Sequence, residues 1–147
     1  MKNLYLSILV SMIVPILVLR IGDGMYVGLW YYFTVPLVIL GLSAAFKLTS
    51  SFYTGVSTAI AISFIIYLNI NWIAVRPEGL LGLGHIFSLP GAFFLVMITA
   101  YFLKRKNNHL PAQNLILGFF SFAIGFFLNQ IILCNSLMYC EVLSFLA

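Results

Sequence analysis

One histidine and two cysteines are the residues best equipped for chemistry here, and all three lie in or beside apolar sequence. His85 sits in the run Arg76-Pro77-Glu78-Gly79-Leu80-Leu81-Gly82-Leu83-Gly84-His85-Ile86-Phe87-Ser88-Leu89-Pro90-Gly91. Imidazole changes charge near neutral pH, and an ionisable group at membrane depth is a candidate site by default. Asn69, Asn71, Asn129 and Gln130 stand at the ends of other apolar stretches, where they could join His85 as ligand or partner contacts. The plainer role for a lone histidine is a neutral ring hydrogen-bonded to a carbonyl or an amide. No metal site is expected, because the other histidine, His109, falls in a polar connection on the opposite side.

Cys134 and Cys140 form a C-x5-C pair near the C-terminus. In an oxidising compartment such a pair closes a small disulfide loop, and a structural disulfide is the expected role. Thiol exchange with a partner, as in quinone-linked membrane redox proteins, is the chemical alternative. Those proteins usually present a C-x-x-C pair or a second dithiol to relay electrons, and neither is in this sequence.

The elements that must position these groups are five apolar segments, near Leu4–Ile21, Met25–Phe46, Phe52–Val75, Leu80–Leu103 and Gln113–Leu133. About 20 apolar residues cross a ~30 Å hydrocarbon core at ~1.5 Å per helical residue, and each segment approaches or exceeds that. The chain is 63% hydrophobic and 7% charged, against roughly a quarter charged in soluble domains, so a water-soluble fold would leave its surface greasy. The expected fold is therefore all-α: a polytopic integral membrane helix bundle of about five transmembrane helices, forming a single domain over residues 1–147. Three of the seven cations form one run, Lys104-Arg105-Lys106, directly after an apolar segment, which marks topology and not nucleic-acid binding.

Basic residues near helix ends are retained on the cytoplasmic side. With the N-terminus inside, Lys2, Lys47, Lys104, Arg105 and Lys106 are cytoplasmic, and only Arg20 and Arg76 are outside. The expectation is a multi-pass protein of a bacterial inner membrane, with the N-terminus cytoplasmic and the C-terminus, with its cysteines, periplasmic. Lys2 and the first apolar run resemble a secretory signal, but no A-x-A-like cleavage site follows, so a retained helix is expected. Pro15 and Pro36 predict kinks in the first two helices, packed against neighbours that meet the freed carbonyls.

Trp30, Tyr31 and Tyr32 read as an interfacial aromatic group near the outer end of the second segment. Gly55, Ala59 and Ser63 recur every four residues and predict a close-packing face, within the monomer in preference to a dimer interface. Gly118, Ser121 and Gly125 form a similar seam between phenylalanines 119, 120, 122, 126 and 127. Four glycines and two prolines around His85 predict an irregular or re-entrant stretch near residues 79–91, leading into a helix from about Ile86 to Leu103. An interior glycine costs about 1 kcal/mol relative to alanine and a proline about 3. Such a break must be sheltered inside the bundle, and Asn69, Asn71, Asn129 and Gln130 are the residues expected to shelter it.

No apolar segment holds Asp or Glu, and no nucleophile-elbow, zincin or phosphate-loop pattern occurs, so no enzyme activity and no cofactor are expected. By size and build the chain is similar to immunity proteins that shield an inner membrane from membrane-active toxins, and equally to small accessory subunits of membrane complexes. The expected action is helix–helix recognition of another membrane-embedded protein, with the lipid bilayer as solvent, no nucleic-acid partner and self-association left open. A small channel or transporter with an outer vestibule at His85 and the nearby amides is the second reading, and thiol redox at Cys134 and Cys140 the third.

Overall fold

The computed structural model of the protein describes residues 2–45, 49–75, 80–105 and 110–136. These form five helices: α1 (Lys2–Ile21), α2 (Leu29–Ala45), α3 (Ser50–Ile73), α4 (Leu80–Arg105) and α5 (Pro111–Ser136). Three of them, α3, α4 and α5, are long and apolar enough to cross a membrane, while α1 and α2 supply shorter apolar stretches.

Several hydroxyl-bearing residues are satisfied within their own helices. Ser11, Thr34, Thr54, Thr58 and Thr99 each donate to the carbonyl four residues earlier in their own helix. In this way a side chain that competes with helix formation in water is satisfied without leaving it.

Helix α3 is the centre of the bundle and touches all four others. Beside α1 it runs parallel, with Ser7 Oγ 2.6 Å from Ser57 Oγ. On its other flank it meets α5, where Gly55 lies against the Leu115 backbone, and a Cβ at Gly118 would stand 2.5 Å from the Phe52 carbonyl. Helix α4 packs antiparallel on α5 through Gly91 and Gly125, each facing the other's backbone. All four glycines serve close approach, the arrangement that lets lipid-embedded helices gain dispersion contact in place of a hydrophobic drive. The face containing Gly55, Ala59 and Ser63 is thus occupied within the chain.

The α1–α2 connection is organised by an acid. Asp23 Oδ1 accepts from the Met25 N–H at 3.1 Å and from the Tyr32 hydroxyl, and Oδ2 accepts from the Gly28 N–H at 2.6 Å. Gly28 takes φ 84°, a left-handed conformation that glycine adopts without a steric penalty. Asn71 Nδ2 donates to the Gly24 carbonyl at 2.6 Å and Trp72 Nε1 to the Gly22 carbonyl at 3.1 Å, tying this loop to the end of α3. Because residues 25–28 belong to this turn, α2 starts at Leu29 and not at Met25 as expected.

A second correction concerns residues 80–91, Gly79 lying outside the described residues. From Leu80 onward the chain is continuous α-helix, through Gly82, Gly84, His85, Pro90 and Gly91, with no re-entrant break. Two of these glycines are contact points: a Cβ at Gly82 would sit 2.5 Å from the Met25 carbonyl, and Gly91 faces α5. Pro90 removes one backbone donor, and the Asn129 amide of α5 donates to the carbonyl of Phe87 in the turn just before it. Glycine's helix penalty is measured in water. For a helix that crosses a membrane, leaving backbone groups unpaired in hydrocarbon would cost several kcal/mol each, which outweighs that penalty.

Candidate functional site

His85 is fully buried at the meeting of four helices. Its ring stacks on Phe64 of α3 at 4.6 Å between centroids and meets Tyr67 edge-on at 4.9 Å. Phe126 of α5 lies at 5.0 Å and Tyr31 of α2 at 5.8 Å. Helical spacing explains the convergence: Phe64 and Tyr67 are three residues apart and share one face of α3.

Both imidazole nitrogens have partners. Tyr31 Oη is 2.8 Å from Nδ1, and Ser63 Oγ is 3.1 Å from Nε2. The single Ser63 hydroxyl hydrogen goes to the Ile60 carbonyl at 2.8 Å, so Ser63 Oγ must accept from His85. That assigns the tautomer: Nε2 carries the hydrogen, and Nδ1 accepts from the Tyr31 hydroxyl. The result is a directional chain, Tyr31 to His85 to Ser63 to the Ile60 carbonyl, in which each donor and acceptor is used.

A second polar group lies alongside. Gln130 Oε1 accepts from the Tyr67 hydroxyl, joining α3 and α5. The single Ser88 hydroxyl hydrogen is shared between Gln130 Oε1 and the Gly84 carbonyl, each 2.8 Å from Oγ, which brings in α4. Among the described residues, no buried side-chain nitrogen or oxygen lacks a hydrogen-bond partner.

The five polar residues singled out from sequence do not form one cluster. Asn129 and Gln130 both engage α4, the helix of His85, through Phe87 and Ser88. Asn71 turns instead to the α1–α2 loop, and Asn69 is exposed. The interfacial aromatic group also divides: Trp30 is 83% exposed, whereas Tyr32 is buried on Asp23 and Tyr31 serves His85. Sequence reading missed Asp23, Tyr31, Ser63 as a hydrogen-bond partner, Tyr67 and Ser88. A usable signal existed only for Asp23, in the Asp-Gly pair with a second glycine at 28 that marks a side-chain-capped turn.

No protein-family model matches this chain, and neither does any curated protein or solved structure. Among the described residues, no group of three or more His, Cys, Asp or Glu side chains could hold a metal ion. The packing residues Gly55, Gly118 and Gly125 lie at helix crossings, Ala59 is buried, and Ser121 Oγ donates to the Gly118 carbonyl at 2.9 Å. Cys134 is 4% exposed on α5, and Cys140 lies outside the described residues.

What the arrangement does chemically is join helices. A histidine with both nitrogens occupied and no exposed atom holds α2, α3 and α4 in register, as interhelical hydrogen bonds do in lipid.

Proposed function

We propose that this is a small, non-enzymatic protein of a bacterial inner membrane that acts by helix–helix recognition of another membrane-embedded protein. In this reading all five helices cross the bilayer, with the N-terminus cytoplasmic and the C-terminus periplasmic. The partner is either a membrane-active toxin, which would make the chain an immunity-type protein, or a membrane complex to which it is an accessory subunit.

The observation that carries the reading is on α1. Tyr5, Leu9, Met12, Ile16 and Leu19 recur at alternating spacings of four and three and are all exposed, between 39% and 68%. A seam with that 3.5-residue period is the geometry by which one helix receives the knobs of another. Among the described residues, by contrast, buried polar side-chain atoms are all hydrogen-bonded within the chain. That supports packing over catalysis, and the burial of His85 weighs against a channel vestibule at that residue. Burial of Cys134 favours a structural disulfide with Cys140 over thiol exchange, which needs an accessible sulfur.

A photo-crosslinking residue placed at Leu9 or Ile16 in native membranes tests the reading. A discrete adduct with one membrane protein, absent when the residue is placed at buried Val14, is the expected result. Adducts with lipid alone at both positions would refute it.

A further inference from the structure

Helices α3 and α5 touch at Gly55 and Gly118, and a hydrogen bond joins them again at Tyr67 and Gln130. Between these two points their side chains leave a cleft of about 430 Å³, within the range of ligand pockets. Ile62, Ile66, Phe119 and Phe127 line its sides, and Tyr67 and Gln130 supply its polar end. No charged residue lines it.

The Gln130 amide is only half used. Its oxygen accepts from the Tyr67 hydroxyl and shares the Ser88 hydrogen with the Gly84 carbonyl, while its nitrogen makes no hydrogen bond to any described residue. An amide nitrogen without a partner here is not buried, and Gln130 lines the cleft. An amide N–H facing hydrocarbon needs an acceptor, which a methylene chain cannot supply and an ester carbonyl can.

Depth agrees with such an acceptor. Gln130 lies six residues before the end of α5, or about 9 Å at the helical rise. The whole helix spans about 39 Å against a hydrocarbon core of about 30 Å, which places Gln130 a few ångströms inside the apolar boundary. From Gln130 to Phe119 the cleft then runs about 16 Å further inward, a length suited to an acyl chain.

We propose that the cleft between α3 and α5 holds one acyl chain of a glycerophospholipid whose ester carbonyl accepts from the Gln130 amide. Without charged lining residues, the site reads the chain and its carbonyl and not the headgroup. The proposal rests on the membrane reading above.

The test is native mass spectrometry of the whole protein, reconstituted separately in palmitoyl-oleoyl phosphatidylglycerol and in its diether analogue, which lacks the carbonyls, then stripped with detergent. One retained phospholipid per chain is expected in the ester lipid, with retention about tenfold weaker in the diether, the worth of one hydrogen bond. Gln130→Leu should show the same weakening in ester lipid, and Ala123→Phe, which fills the cleft wall, should retain none. Equal retention of ester and diether lipids, retention undiminished in Ala123→Phe, a retained isoprenoid quinone, or no retained molecule would each overturn the proposal. Alkaline extraction of native membranes separates this from failure of the membrane reading. A chain released by carbonate sinks that reading, whereas a chain that stays in the membrane with an empty cleft sinks only the lipid site.

Discussion

The Tyr31 hydroxyl lies 2.8 Å from His85 Nδ1 across 54 residues of sequence, and this contact joins the first turn of α2 to the second turn of α4. Its removal and the removal of the ring should have different costs. Tyr31→Phe strands one acceptor and should destabilise by about 0.6–2 kcal/mol, the range for hydrogen bonds within membrane proteins. His85→Ala empties a ring-sized space among Phe64, Tyr67 and Phe126 and should cost about 2–5 kcal/mol. Equilibrium unfolding by steric trapping in bicelles would rank the two. The opposite order would show that the polar chain, and not the packing, dominates.

Asp23 should govern the α1–α2 turn. Replacing it with alanine strands the N–H groups of Met25 and Gly28 and the Tyr32 hydroxyl, and should cost about 1.5–3 kcal/mol, as expected for hydrogen bonds to a charged group. Hydrogen exchange should accelerate at residues 24–28 before it changes in α3. Unaltered exchange there would mean that the ties from Asn71 and Trp72 are enough to hold the loop.

Two glycines in one helical turn should respond in opposite directions. Gly84 has no atom within 4 Å of a built Cβ, so Gly84→Ala should be neutral or stabilise by up to about 1 kcal/mol through helix propensity. At Gly82 the same Cβ would press on the Met25 carbonyl at 2.5 Å, and Gly82→Ala should destabilise by about 1–3 kcal/mol. Thermal unfolding in a fixed detergent distinguishes them. A destabilised Gly84→Ala would bring back the irregular backbone that the sequence suggests.

The proposed orientation is tested by fusions. A reporter active only in the cytoplasm should work after Lys106 and be silent after Ala147. The reverse pattern would invert the topology and move the cysteines to a reducing compartment, while activity of both fusions would show an even number of crossings.

The proposed Cys134–Cys140 bond should appear as a mass shift on alkylation only after reduction. Closing so short a loop should stabilise by no more than about 3 kcal/mol, so Cys134→Ser should lower stability without abolishing activity. Free labelling of both thiols in unreduced membranes would remove the disulfide from the proposal.

What residue types and spacing determine by themselves is the apolar character of the chain and the element type. Long runs with almost no charge dictate helices whose backbone bonds close internally, and the period-four glycine and serine faces mark where backbones approach. Where those helices begin was decided by tertiary contacts. Met25 and Gly28 look like helix in an apolar run, but Asp23 captures their N–H groups. Leu80 to His85 look like a break, but Gly82 and Gly91 are spaces for neighbouring backbones, and Asn129 covers a carbonyl beside Pro90. The partners of His85 were hidden for a related reason. Tyr31, Ser63 and Tyr67 come from helices whose relative rotation depends on side-chain packing, and no local pattern encodes which of three adjacent aromatic residues turns inward. Trp30 faces outward and Tyr31 and Tyr32 inward because Asp23 and His85 lie where the folded bundle put them.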